Sequence, residues 1–354
     1  MIRERPLVVA GMRFMVYKDR MNKKIGRMAV GFLGAVLMLG GHTAARAAAC
    51  DRTCLERIVD QYLDAMLAHD PHKAPFASDV KFTENGQKLE LGDGLWRTFT
   101  ARGTYRMFVD DVDAGHVAFL GSIREADLPA MLALHLRIRD GKIKAAETLI
   151  QRNEKSGLGF EELGYTWRET LPADGRMSRT DLLKTANMYF SGMQKNDGKG
   201  IYPFDDDCNR IENGGFTTNV PTPAGQARPD PKTAGNYSSQ WSCREQFESG
   251  LLHFVSRIRD RRFVALDPER GLIFSYAFFD HMAGDTRTFQ TPDGRTVTAG
   301  PKQPWTWEIA EAFQIEHGRI RQIQAIMEKV PYGMISGWST WEEGMSSEGR
   351  DASR

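Results

Sequence analysis

The chain has 354 residues, of which 41% are hydrophobic and 26% charged. That excludes intrinsic disorder as the dominant state, and the lack of repeated apolar runs of about 20 residues excludes a multi-spanning membrane protein. The formal charge of +1 hides an asymmetry, since residues 1–49 carry nine Lys and Arg against two Asp and Glu and the remainder carries 38 against 44. A body at −6 lacks the phosphate-neutralising charge on which nucleic-acid binding depends.

In chain order, the basic segment Met21–Arg27 leads into the apolar run Met28–Leu39, and Ala-x-Ala patterns follow at Ala45–Ala47 and Ala47–Ala49. Basic, apolar, then small is the layout of a secretory signal peptide. Residues 1–49 are therefore set aside as a removable leader with an upstream extension before Met21 and cleavage near Ala47–Ala49. The chain is expected in the periplasm or outside the cell, with no stable membrane span after cleavage. In an oxidising compartment four cysteines favour disulfides, and the expected pairs are Cys208–Cys243 and Cys50–Cys54. No metal site is expected, because no C-x-x-C occurs and His69-x-x-His72 stands alone on a polar loop.

After the leader the sequence repeats itself. Tyr62 and Asp70 are followed by Pro75 and by Glu84-Asn85-Gly86, and Tyr189 and Asp197 by Pro203 and Glu212-Asn213-Gly214. Each copy opens on a helical pattern: Ile58, Tyr62, Leu63, Met66 and Leu67 in the first, Leu182, Ala186, Tyr189, Phe190 and Met193 in the second. Strands are predicted over 116–123, 131–139 and 142–152, and again over 272–279, 305–316 and 319–329. Each copy closes on a hairpin, through Asp140-Gly141 and His317-Gly318. The predicted fold class is α+β, in two domains that each place a helical element first and an antiparallel sheet last. The domains span 50–155 and 178–335, with a Gly- and Pro-containing linker at 156–177 and a tail at 336–354. No strand runs into a G-x-G-x-x-G or P-loop, so no nucleotide or other cofactor is expected.

The helix-first order, the closing hairpins and the size of each copy resemble the nuclear-transport-factor-2-like, or SnoaL-like, fold. Thr83–Gly86 with Gly92–Trp96, and Pro331–Met334 with Gly337-Trp338, are similar to an uncharacterised secreted subgroup of it. The resemblance implies two cone-shaped domains, each with N-terminal helices packed on a strongly curved antiparallel sheet that leaves a pocket at its open end. It leaves the chemistry open, because one fold serves many functions.

Strand parity selects the site candidates. Trp305, Trp307, Ile309, Glu311, Phe313 and Ile315 share a face, making Glu311 the one ionisable group in an apolar row. A carboxyl there suits a general acid or base, or else serves as the acceptor in a structural pair. Aligning the hairpins places Leu134 opposite Glu311, and parity from Ile143 through Ala145 makes Glu147 the first copy's candidate. His135, with parity opposite to the Leu134 row, and Asp280-His281 at a strand end complete the catalytic candidates. Glu84, Asn85, Glu212 and Asn213 can bind a polar group or simply build a tight turn. Trp96, Trp305 and Trp307 can wall a ring-bearing substrate or fill core.

Two functions compete. The first is an exported, cofactor-independent lyase or isomerase, dehydratase- or cyclase-like, acting on a small, partly apolar oxygenated molecule through a pocket carboxylate. The second is a non-catalytic ligand-binding or interaction protein, in which the insertion 216–242 acts as a recognition loop. Either way the expected partner is a small molecule and not a nucleic acid, and a homodimer is left open.

Overall fold

The computed structural model describes residues 50–152 and 167–354. The leader lies outside the described residues, as do residues 156–166 of the linker. Helix α1 (Arg52–Leu67) starts where the Asp51 carboxylate accepts the Cys54 amide, and it buries Leu55, Ile58, Val59, Tyr62, Leu63 and Met66. Strand β1 (Phe76–Glu84), the short β2 (Gln87–Lys88) and the single turn α2 (Leu95–Thr98) follow. Then come β3 (Phe99–Asp111), β4 (His116–Glu125), β5 (Leu128–Arg139) and β6 (Lys142–Arg152).

The second copy repeats this plan with α3 (Arg179–Met193), β7 (Phe204–Glu212), β8 (Gly215–Phe216), α4 (Cys243–Glu248), β9 (Arg257–Asp267) and β10 (Leu272–His281). A separate two-stranded hairpin, β11 (Thr288–Gln290) and β12 (Thr296–Thr298), precedes β13 (Trp305–Glu316) and β14 (Arg319–Val330). The chain ends with α5 (Trp341–Met345) and β15 (Gly349–Asp351).

The sheets run β2-β1-β6-β5-β4-β3 and β15-β9-β10-β13-β14-β7-β8, so strand order is duplicated and β15 is added at one edge. Neither sheet is purely antiparallel as expected: β1 pairs parallel with β6, and β7 with β14. The intervening meander supplies the long crossover that a parallel pair requires. The tail is therefore part of the second sheet, where β15 pairs parallel with β9.

Each sheet buries one face under its own helix. Leu132, Leu134, Leu136 and Ile138 meet α1, while Ile309, Phe313, Ile315 and Ile323 meet α3. The other two faces pack on each other through Met107, Val109, Leu120 and Met131 against Val264, Phe274, Tyr276 and Ile326. The order is thus helix, sheet, sheet, helix, with an apolar seam at the centre. Ion pairs cross it: Arg262 grips Glu147 through two bonds of 2.8 and 2.6 Å, and Arg179 grips Asp111 through two of 2.7 Å. Arg270 reaches Asp110 at 3.1 Å and Arg52 reaches Asp267 at 2.7 Å. Both expected disulfides are formed, Cys50–Cys54 and Cys208–Cys243.

Candidate active site

The second domain keeps a small hollow between α3 and its sheet. Tyr189 and Met193 come from α3, Arg210 and Glu212 from β7, Phe279 and His281 from β10, Trp307, Ile309 and Glu311 from β13, and Met327 from β14; the cavity is about 70 Å³. Pairing across the sheet aligns Glu311, Ala325 and Glu212 in one row. The small Ala325 side chain leaves room between the two carboxyls.

Glu311 is fully buried, and its Oε2 has no hydrogen-bond partner. Burial pushes its carboxyl up to about 8, against the pull of the Arg210 guanidinium and the Tyr189 hydroxyl beside it. Arg210 is buried too. It pairs with Glu212 and donates to Gln246 Oε1 at 2.7 Å, while its Nε–H has no partner. An orphaned donor and an orphaned carboxyl oxygen thus line one cavity, and buried polar groups are normally satisfied.

His281 lies at the other end, because Glu311 pairs with Ser275 whereas His281 pairs with Trp305 six residues along. Burial lowers its imidazole to about 4 and so keeps it neutral. Its Nδ1 lies 3.2 Å from the Phe279 carbonyl, which makes Nδ1 the protonated nitrogen and Nε2 the free acceptor. Its ring stacks on Trp305 with centroids 4.0 Å apart, and Trp305 meets Trp307 edge-on at 4.6 Å.

The remaining sequence candidates lie elsewhere. Asp280 does not form a dyad with its neighbour. It points to the opposite face, fully buried, where Arg259, Arg257 and the Thr306 hydroxyl bind it and hold its carboxyl below the usual range despite burial. Glu147 lies in the seam and not in the first domain's hollow. The pairing shifts between Arg137 and Ile138, so Ile138 meets Ile143 while Arg137 meets Ala145. That bulge at Lys144 reverses the parity assumed from Ile143 onward, and Ala146 and Ile150 face α1 instead. His135 also faces the seam, 2.9 Å from His116 Nδ1, and burial lowers both imidazoles.

The repeated Glu-Asn-Gly builds a turn in both copies. Asn85 (φ 46°) and Asn213 (φ 48°) are left-handed, and each bridges to the neighbouring strand with both side-chain atoms: Asn85 to Ile150, and Asn213 to Met327. Glu84 accepts the Leu95 amide at the start of α2 and pairs with Arg152, each at 2.8 Å. Glu212 instead faces the cavity. In the first domain Trp96 packs edge-on against Tyr62, and the apolar Phe82 and Leu134 stand at the strand positions that Arg210 and Glu311 occupy in the second.

Sequence reasoning missed Arg210, Tyr189 and Tyr237 as cavity groups. A signal was present: pairing matches Phe82 to Arg210 and Leu134 to Glu311, so an apolar pair in one copy is replaced by a charged pair in the other. It also missed Glu308, which lies in the seam with both oxygens unpartnered. Among the described residues no cluster of three or more His, Cys, Asp or Glu side chains could hold a metal ion. Nor is any helix there long and apolar enough to cross a membrane.

A family profile described as "Domain of unknown function (DUF8021)" matches residues 48–150 and 175–327. The chain belongs to the DUF8021 family. The two matched pieces of the DUF8021 profile fall one on each sheet. No curated protein matches the chain.

Solved structures similar to parts of it include an NTF2-like protein of unknown function from Cytophaga hutchinsonii. That structure is 10% identical, covers 27% of this chain and 89% of its own, and has a TM-score of 0.24. A protein from Kribbella flavida described as a "putative ketosteroid isomerase" is 15% identical, with coverages of 34% and 91% and a TM-score of 0.24. One from Sphaerobacter thermophilus is 16% identical, with coverages of 30% and 100% and a TM-score of 0.23. Likeness at these scores bears no argument about chemistry.

Proposed function

We propose that this chain is an exported pair of SnoaL-like domains in which the second is a cofactor-independent lyase or isomerase. The first domain, with the apolar Phe82 and Leu134 in the places of Arg210 and Glu311, serves as a scaffold. The substrate class is a small, partly apolar oxygenated molecule, held between the aromatic wall and the Arg210–Glu212 pair.

The observation that carries this reading is Glu311: a buried carboxyl with an unpartnered oxygen on a cavity wall. Its raised pKa keeps it protonated at neutral pH, so it starts as the proton donor. It would donate its proton to a carbonyl oxygen of the substrate as the neutral His281 Nε2 takes a proton from the adjacent carbon, and the Arg210 guanidinium and Tyr189 hydroxyl would stabilise the partial negative charge on that oxygen before the donated proton neutralises it. Since the Arg210–Glu212 pair is already neutralised, the site favours an uncharged ligand over an anion. Export is supported by the leader pattern and by the two disulfides.

The test has two steps. Ligands are first found by their ability to raise the melting temperature of the protein, and turnover of each is then measured. Glu311→Gln should lower kcat by about 10²–10⁴-fold with a smaller change in KM. Full turnover by that variant would end the assignment of Glu311 as the proton donor. Ligands that bind but are never converted would favour the non-catalytic binding protein.

A further inference from the structure

The second domain carries two excursions far longer than their counterparts in the first: the chain between β8 and β9, against residues 89–98 between β2 and β3, and the chain between β10 and β13, against residues 126–127 between β4 and β5. They pack together over a small core of their own, made of Trp241, Leu251, Phe289, Val297 and Ala299. Arg295 from the second donates to the carbonyls of Ala234 and Pro231 in the first, at 2.7 and 3.1 Å. The Cys208–Cys243 disulfide ties this cap to β7, and Gln246 Nε2 donates to the Ser238 carbonyl at 2.8 Å. Ala234 and Ser238 are therefore both held from outside the segment that joins them.

Between those anchors stands Tyr237. Its phenol ring lies over Phe254 with centroids 6.0 Å apart, and Phe254 in turn stacks on His281 at 5.9 Å. Burial raises the pKa of its hydroxyl, the Glu212 carboxylate adds to the rise and the Arg210 guanidinium opposes it. The ring thus roofs the cavity from its His281 end to the charged pair. Among the residues lining that cavity Glu212, Phe254 and Trp307 are half-buried, and Tyr237 is the one that is exposed, at 38%. The other walls are buried core of helix and sheet. Ligand sites usually need about 300 Å³ or more, so a hollow of about 70 Å³ cannot take a substrate unless a wall moves. Gly235, two residues before the ring, has no neighbour within 4 Å of where a Cβ would stand, so the backbone there has room to turn.

We propose that Tyr237 is the gate of the Glu311 cavity: its ring swings away from Phe254 to admit the substrate and closes over it, while the disulfide-tethered cap stays in place. This rests on the reading of that cavity as the substrate site. It makes Tyr237 a positioning residue that excludes water from Glu311 and limits the size of what can enter.

The test needs no substrate. Amidation by a water-soluble carbodiimide and glycine methyl ester at pH 7, mapped by mass spectrometry on the full chain, reports access to protonated carboxyls. Glu308 is the internal standard, because burial raises it to about 8 as well but it lies in the seam between the sheets. In the native chain both should label slowly. Tyr237→Ala should raise Glu311 labelling by about tenfold or more, the scale of a local opening made easier by about 1.4 kcal/mol, and leave Glu308 unchanged. Tyr237→Phe, which keeps the ring, should protect Glu311 as the native chain does.

Unchanged Glu311 labelling in Tyr237→Ala would overturn the gate. So would a joint rise of Glu311 and Glu308, which would make the tyrosine a prop for the whole fold, or loss of protection in Tyr237→Phe. Loss of the catalytic reading is seen separately, as turnover surviving Glu311→Gln while Tyr237→Ala, in a chain that keeps Glu311, still raises Glu311 labelling selectively.

Discussion

At the scale of single residues, the environment decides which carboxyls can work. Glu311 and Glu147 are equally buried, yet Glu147 has a guanidinium bonded to both oxygens and Glu311 has one oxygen free. A group committed to two charge-assisted bonds cannot shuttle a proton without breaking them. The two should therefore respond differently to substitution. Because a protonated Glu311 is the working form, kcat/KM should fall as pH rises through about 8. A pH-rate profile that climbs through that range would instead make Glu311 a base. Arg262→Ala strands the Glu147 carboxylate in the seam and should cost about 3–5 kcal/mol in chemical denaturation. Glu147→Gln, which keeps a hydrogen-bond partner for Arg262, should cost less and leave turnover intact.

At the scale of elements, legibility followed regularity. The strands with clean alternation, such as β5 and β13, were visible in the sequence, and so was the Glu311 face. Both closing hairpins have positive φ at Asp140-Gly141 and His317-Gly318, as their residue types demand. β9 was invisible because its sequence, Arg257-Ile-Arg-Asp-Arg-Arg-Phe, reads as a solvated charged stretch. Its arginines are instead partnered, Arg257 and Arg259 by Asp280, Arg262 by Glu147 and Arg261 by polar groups of α3, so that burial follows from partners the sequence places far away. The bulge at Lys144 was invisible for a related reason: it carries no residue-type signature, yet it reverses the parity that Glu147 depended on. The disulfides differ in leverage. Cys208–Cys243 closes a loop of 35 residues that anchors the cap, whereas Cys50–Cys54 spans four residues at the edge of α1. Replacing the first pair by Ser should cost about 2–4 kcal/mol and the second much less, as read from melting temperatures.

At the scale of the whole molecule, the seam makes the two domains one cooperative unit. Each sheet is apolar on both faces, so separating them would expose Met107, Leu120, Phe274 and Ile326 to water and break the ion pairs that cross between them. A single unfolding transition is expected by calorimetry, and two resolved transitions would contradict this. The same seam sets how stability depends on pH. Glu308 has no bonded partner and is raised by burial, with Glu147 adding to the rise, so it stays protonated in the folded chain up to about 8. An unfolded glutamate loses its proton near 4.3. Between those values the native state holds a proton that the unfolded state has released, so stability falls as pH rises through this window and is not recovered above it. Glu308→Gln removes that linkage. The variant should gain on the native chain as pH rises from about 5 to 9, by no more than about 5 kcal/mol, and denaturation midpoints that run parallel across that range would show that Glu308 is ionised in the folded protein.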